Sequence, residues 1–530
     1  MLRVMPRLLA ALIVAASASA STAVAEPFPS SPLDENSVAE LAEKMRRGEL
    51  TSHALVQHYL DRIAAIDKTG PALNAVIEVN PDALAIADQL DALRKKGKVY
   101  GPLHGIPVLI KDNIDTADRM HTSAGSLALA DSIAVKDSTV AAKLRAAGAV
   151  ILGKTNLSEW ANFRSNHSTS GWSGRGGLTR NPYALDRNAC GSSSGTSAAV
   201  AADLAAVGVG TETDGSIVCP ASTNGLVGIK PTLGLIARSG IVPIAHSQDT
   251  SGPMARSVAD AAVLLGAIAG GDARDAATKD AEKHRADYAK ALDAGSLKGA
   301  RIGVVRGFGG FDPATGKLFD AAIAKLKAAG AVVVDPVELP NLGKYDEDEG
   351  TVLQYEFKTD IDAYLAQLAP AVTTRSLADL IAFDEAHAAS EMPWFGQETF
   401  VKSQKRGTLR DKEYLDALAR SKRLAGPEGI DAALAKDHLD ALIAPTGGPA
   451  WTTDLVNGDH FSGSSSTPAA VAGYPAVTLP MGFVHGLPVG LSFFGAAWTD
   501  AKLIGYAYAF EQAAHARQPP RFLPHVGDAK

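Results

Sequence analysis

The chain has 530 residues, 46% of them hydrophobic, 21% charged and 6% aromatic, with a net charge of −7. Apolar content near half excludes a disordered chain, and an acidic balance speaks against a nucleic-acid partner, which needs a basic stripe to displace counterions. No apolar run reaches the roughly 18 residues of a transmembrane helix, and two cysteines cannot staple a chain this long, so stability rests on packing.

At the N-terminus, Arg3 and Arg7 flank an apolar run from Leu8 to Ala16, and a small-residue stretch ends Ala23-Val24-Ala25. This is the three-part pattern of a secretory signal peptide over residues 1–25, cleaved near Ala25. Without an Arg-Arg pair the general secretion route is expected, delivering a periplasmic or secreted protein with no membrane attachment after cleavage. Ser37 with Glu40 makes a capping box, so a helix begins there. Residues 52–66 and 82–96 carry Leu, Ala and Val at helical spacing. Short apolar runs follow at 107–110, 149–152, 302–305 and 331–334. The second and fourth come after helical stretches ending Ala-Ala-Gly, an α-then-β order that predicts a largely covered sheet. The acidic run Asp346 to Glu349 lacks the spacing and glycine of a calcium loop and reads as a solvated face. From His460 to Thr499 there is no Lys, Arg, Asp or Glu, and Pro468, Pro475, Pro480 and Pro488 forbid one long helix. Buried strands and turns are expected there.

The Gly/Ser-rich stretch 188–240 carries the chemistry. Gly191 to Gly195 fits G-x-S-x-G with Ser193 at its centre, but a nucleophile elbow needs an apolar strand ahead of its serine. The preceding Asn-Pro-Tyr-Ala-Leu-Asp-Arg is turn-like instead. No S-x-x-K, H-E-x-x-H or C-x-x-C occurs, so the penicillin-recognising hydrolases and a metal mechanism have no residues to stand on. Ser216 is better placed. It follows Thr213-Asp214-Gly215, a small-residue turn whose backbone N–H groups can converge on an oxyanion. Taken alone, the same string also reads as a plain β-turn.

Residues 188–234 closely resemble the glycine/serine-rich core of the amidase signature family, in which two serines stand 24 positions apart, here Ser192 and Ser216. Gly105-Ile-Pro-Val-Leu-Ile-Lys111-Asp-Asn resembles the family's lysine segment, and Pro475 to Gly495 its C-terminal hairpin. The likeness runs from about residue 35 to about residue 520. Cys-Gly-Ser-Ser-Ser-Gly and Gly-Thr-Glu-Thr-Asp-Gly-Ser are closest in motif to the peptide amidase branch. The resemblance implies an α/β fold: a single amidase-signature domain over 26–530, with a mixed central sheet covered by helices. It implies a Ser-Ser-Lys triad of nucleophile Ser216, bridging Ser192 on a cis peptide bond after Gly191, and base Lys111. It implies oxyanion donors at Thr213, Asp214, Gly215 and Ser216, and neither cofactor nor metal; Ser193 and Ser194 are read either as hydrogen-bond donors to the substrate amide or as packing of the serine turn. For Lys111 to act as a base, its free pKa of about 10.4 must fall by roughly three pH units. Val108, Leu109 and Ile110 lead into it without polar alternation, as in a buried strand end.

The chain departs from the commoner family pattern at Asp214, usually Gly, and at Val218, often Arg. The second change removes a candidate partner for a substrate carboxylate. The expected reaction is release of ammonia from C-terminal peptide amides or related carboxamides. The alternatives are a broad-specificity exported amidase or aryl acylamidase, an aminoacyl-tRNA amidotransferase-like subunit, and a non-catalytic binding protein on the same fold. The sequence leaves the oligomeric state open. Cys190 and Cys219 flank the two serines, and because nearness alone does not satisfy disulfide geometry they are expected as free, buried thiols.

Overall fold

Eleven strands form one mixed sheet in the computed structural model, which describes residues 30–308, 310 and 312–527. The signal-peptide reading of residues 1–25 lies outside the described residues. In chain order the strands are β1 (Val76–Val79), β2 (Pro107–Lys111), β3 (Val150–Thr155), β4 (Val207–Glu212), β5 (Val227–Lys230) and β6 (Thr250–Ala255). There follow β7 (Arg301–Val304), β8 (Val332–Val334), β9 (Ala441–Pro445), β10 (Ala476–Val484) and β11 (Leu487–Phe494). Their order across the sheet is β1-β3-β2-β4-β6-β5-β10-β11-β9-β7-β8. Strands β3, β2 and β4 are mutually parallel, as are β9, β7 and β8, while the centre is antiparallel. The four apolar runs of the sequence are β2, β3, β7 and β8, each within a few residues of its expected bounds.

The expected helices also form. Val38–Arg46 starts at a complete Ser37–Glu40 capping box. Ser52–Arg62, extended by a π-turn over Ile63–Lys68, and Ala83–Lys95 follow. Helices cover the sheet: Val258–Ile268 packs on β6, and Pro313–Ala328 and Asp500–Ala514 both pack on β10. The charge-free segment supplies a short helix, Thr467–Ala472, and then the β10–β11 hairpin, in which every residue of β11 is buried. The run Asp346–Glu349 meets the solvated-face expectation at Asp346 and Glu347, which are exposed, and corrects it at the next two residues. It opens helix Asp346–Leu365, and Asp348 and Glu349 are buried, because the helix packs on Glu398–Gln404 and Lys412–Ala425 and turns this edge inward.

One helix is buried on all sides. Ser194–Ala201 presents only Ser, Gly, Thr, Ala and Val, as a helix without a solvent face must. Its Gly195 is there for closeness: a Cβ would stand 2.2 Å from Ala75 O and 2.4 Å from Asn156 O. This close seating carries Ser192, just ahead of the helix, to the C-terminal ends of β2 and β4. In α/β sheets that is the edge where ligands bind.

Candidate active site

Lys111 is the last residue of β2 and is fully buried. Its Nζ donates to Ser192 Oγ at 2.7 Å and to Thr211 Oγ1 at 2.9 Å. Thr211 lies near the end of the neighbouring β4, and its hydroxyl also accepts from Asn113 Nδ2 at 3.0 Å. Burial pushes the Lys111 amine down to about 7, against the pull of the Asp249 and Glu212 carboxylates, which favour its charge. Near neutral pH the amine therefore exists in both protonation states, beside a hydroxyl with which it can exchange a proton.

Ser216 sits in the turn between β4 and helix Val218–Thr223 and is 7% exposed. Glu212, at the end of β4, accepts from the N–H groups of Ile217 at 2.7 Å and Val218 at 3.0 Å. Gly215 turns the chain at φ 80°. Among the described residues, the N–H groups of Thr213, Asp214, Gly215 and Ser216 donate to no protein atom, which leaves them free for a developing oxyanion. Asp214 braces the turn by accepting from Thr467 Oγ1 at 2.6 Å. Val218 is buried in an apolar cluster with Phe308 and Ala469, so no cation stands at that position.

Three sets of ties join the Ser192 and Ser216 segments. Ser193 N donates to Ser216 O at 3.2 Å. Thr223 Oγ1 and Asn224 Nδ2 donate to Ala189 O at 3.0 and 2.8 Å. The third is a disulfide between Cys190 and Cys219, which corrects the expectation of free thiols. The packing of the two turns brings the Cα atoms to 6.1 Å, within bridging range. The peptide bond between Gly191 and Ser192 is cis, as the resemblance implies.

Of the two roles open to Ser193, the structure favours packing. Its Oγ donates to Thr211 O at 3.0 Å and accepts from Thr211 N at 3.2 Å, and the residue is fully buried. A hydroxyl doubly engaged with a strand backbone holds the site together rather than meeting substrate. Ser194 Oγ is likewise turned inward, onto Cys190 O. Thr211, Asn113, Glu212, Asp249 and Thr467 are the residues that the sequence did not single out. Thr211 and Asn113 had a signal in their places beside the serine and lysine motifs; nothing in the string marks Asp249.

A cavity of about 630 Å³ opens beside this turn, lined by Asn113, Thr211, Glu212, Thr213, Asp249 and Tyr364 among others, and Lys111, Ser192 and Ser216 lie outside its lining. Among the described residues two groups of metal-ligand side-chain types occur, Asp34–His58–Asp203 and His246–Glu356–Asp360, and neither includes Lys111, Ser192 or Ser216. In the second, His246 Nδ1 already pairs with Asp360 at 2.8 Å.

The arrangement is that of nucleophilic acyl transfer: a hydroxyl at a donor-rich turn, a second hydroxyl, and a base that can be neutral at working pH. The family profile described as Amidase matches residues 54–504. The structure of a peptide amidase from Stenotrophomonas maltophilia superposes with a TM-score of 0.89 at 55% identity, covering 93% of this chain and 99% of that one. A probable amidase of Arabidopsis thaliana is 41% identical over 501 residues, 93% of this chain and 92% of its own length. A component of the glutamyl-tRNA(Gln) amidotransferase of Moorella thermoacetica is 34% identical over 506 residues, 91% of this chain and 97% of its own length.

Proposed function

The chain belongs to the amidase family and is an amide hydrolase, and from that premise we propose that it releases ammonia from the C-terminal carboxamide of peptides or amino acids through an acyl-enzyme on Ser216. Ser216 attacks the carbonyl carbon; its proton passes to Ser192, whose own proton passes to neutral Lys111. The N–H groups of residues 213–216 hold the tetrahedral oxyanion. On collapse the proton returns through Ser192 to the leaving nitrogen, and ammonia departs. Water then attacks the ester by the same relay and frees the carboxylate product. The observation that carries this reading is the 2.7 Å contact between the fully buried Lys111 amine and Ser192 Oγ.

Three further points support the carboxamide substrate. The 55% identity to a peptide amidase spans nearly the whole chain. Apolar Val218, where the family often has arginine, leaves a neutral amide without a competing carboxylate partner. The N-terminal pattern over residues 1–25 fits export, to where peptides and small amides are available. The amidotransferase reading has the weaker footing, because a net charge of −7 does not suit a tRNA partner.

The test compares a short peptide amide, its free-acid form and an aryl acylamide by product analysis under one set of conditions. Fastest ammonia release from the peptide amide is expected. Cleavage inside the free-acid peptide, or preference for the arylamide, removes the substrate assignment and leaves the acyl-enzyme chemistry standing.

A further inference from the structure

The two serines reach the site on separate elements: Ser192 on the turn before helix Ser194–Ala201, Ser216 on the turn after β4. Proton transfer between them requires the turns to be held in one register. We propose that the Cys190–Cys219 disulfide is a positioning element of the amidase site, and that its reduction reversibly lowers kcat without unfolding the protein. The proposal rests on the assignment of Lys111, Ser192 and Ser216 given above.

The bridge is placed for this role. Cys190 stands two residues before Ser192, and Cys219 three after Ser216. The noncovalent ties act at the margins. Thr223 and Asn224 hold Ala189, and Ser193 N holds Ser216 O at 3.2 Å, a long contact for the one main-chain bond between the serine turns. The disulfide joins the two turns between these ties, two residues from Ser192 and three from Ser216. The bridge closes a loop of 29 residues within one sheet of 11 strands, whose large buried core lies mostly outside that loop.

The lysine end of the relay is separate from the bridge. Lys111 is held by Ser192 Oγ and Thr211, and its amine is tuned by burial and by Asp249 and Glu212; neither cysteine belongs to that environment. Opening the bridge therefore leaves the Lys111 titration in place while the two serines lose register. That split separates a positioning role from a general loss of structure.

Cys219 is half-buried and Cys190 only 5% exposed, so a reductant meets Cys219 first. The thiolate of a small dithiol attacks Cys219 Sγ, breaking the S–S bond and expelling the Cys190 thiolate. The reagent's second thiolate then attacks the mixed disulfide, closing its own ring and freeing Cys219. In all, two electrons and two protons pass to the protein, and the reagent is oxidised to its cyclic disulfide. Disulfides persist outside the reducing cytoplasm, so a chain kept reduced would stay slow until it met an oxidising compartment.

The experiment treats the folded enzyme with dithiothreitol, counts two alkylated thiols per chain by mass, and measures kcat, KM, the pH profile and circular dichroism on a peptide amide. The expected result is a fall in kcat of about tenfold to a hundredfold, as for reacting groups displaced by about 1 Å. KM changes by no more than about twofold, the acid limb keeps its midpoint, dichroism is native, and reoxidation restores the rate. A Cys190→Ser/Cys219→Ser variant reproduces the low kcat and ignores dithiothreitol. Full kcat with both thiols titrated overturns the proposal, as does a loss that tracks unfolding or falls on KM. Fluorophosphonate mapping of the oxidised enzyme separates the two claims. Label on Ser216 with no effect of reduction sinks only this inference, whereas absence of label from Ser216 removes the assignment beneath it.

Discussion

Two fully buried lysines lie side by side in the sheet, and their surroundings differ. Lys111 ends β2; Lys154 stands on β3 opposite Ile110, one register step away. Lys154 Nζ donates to Ile114 O at 2.6 Å and to Thr122 Oγ1 at 2.9 Å. Burial lowers its affinity for the proton, but Asp112, Asp115, Asp118 and Glu78 all pull the other way. Around Lys111 the two short contacts are to the hydroxyls of Ser192 and Thr211, with Thr211 O at 3.4 Å, and only Asp249 and Glu212 oppose burial. Burial alone does not make a base. What separates the two is a low count of opposing carboxylates, together with the identity of the partner hydroxyl: Lys111 meets Ser192, whose turn is tied to that of Ser216, whereas Lys154 meets Thr122, which belongs to neither serine turn.

Substitutions at the two serines of the glycine-rich stretch break the comparison most strongly. Ser216→Ala should cost about four orders of magnitude or more in kcat, as loss of a nucleophile does. Ser193→Ala, which removes only hydroxyl bonds to the Thr211 backbone, should keep kcat within about tenfold and lower stability by about 1–3 kcal/mol. Steady-state kinetics and thermal melts on both variants check this, and equal losses at the two positions would restore the elbow reading.

The lysines come next. Lys111→Ala should remove most of the rate and with it the acid limb of kcat/KM. Lys154→Met should keep that limb, because it touches neither serine. It should instead cost up to about 3–5 kcal/mol of stability, because buried Asp115 loses the cation that faces it and Asp112 is left with Arg175 alone. Denaturant titration alongside pH–rate profiles distinguishes the two.

The smallest expected effect sharpens the electrostatic side of the contrast. Asp249 carries a carboxyl that burial raises to about 6, so it is largely charged where Lys111 titrates. Its charge favours protonated Lys111. Asp249→Asn should therefore lower the Lys111 pKa, leave more neutral amine at a given pH, and move the acid limb to lower pH. A limb that stays in place or moves up would show that Asp249 does not reach the amine.

The string disclosed these features unevenly. Strand ends such as Val108-Leu109-Ile110-Lys111 were legible because a covered sheet leaves no polar alternation in its strands. Helix Val38–Arg46 was legible because its cap is local. The candidate triad came from the resemblance to a family, whose motifs survive in sequence because each turn is built from consecutive residues. What stayed hidden depends on pairs distant in the chain. The string left Ser193 between substrate contact and packing, and only Thr211, 18 residues on, takes up its hydroxyl. The bridge between Cys190 and Cys219 follows from the mutual seating of two turns, which no local rule reports. Likewise, Asp348 and Glu349 look solvated in the string and are buried by helices some 50 to 75 residues later.

The central claim is that Lys111 can be neutral at working pH, beside a buried neighbour that four carboxylates rather than two pull back toward its charged form. Selective 13Cε labelling of lysine, with the two resonances assigned through Lys111→Ala and Lys154→Met, reads that difference directly across a pH titration. The account predicts that the Lys111 signal titrates with a midpoint near 7 and that the Lys154 signal keeps its charged-state position to higher pH. A Lys111 resonance that remains in the charged position through alkaline pH, moving no earlier than that of Lys154, would contradict it.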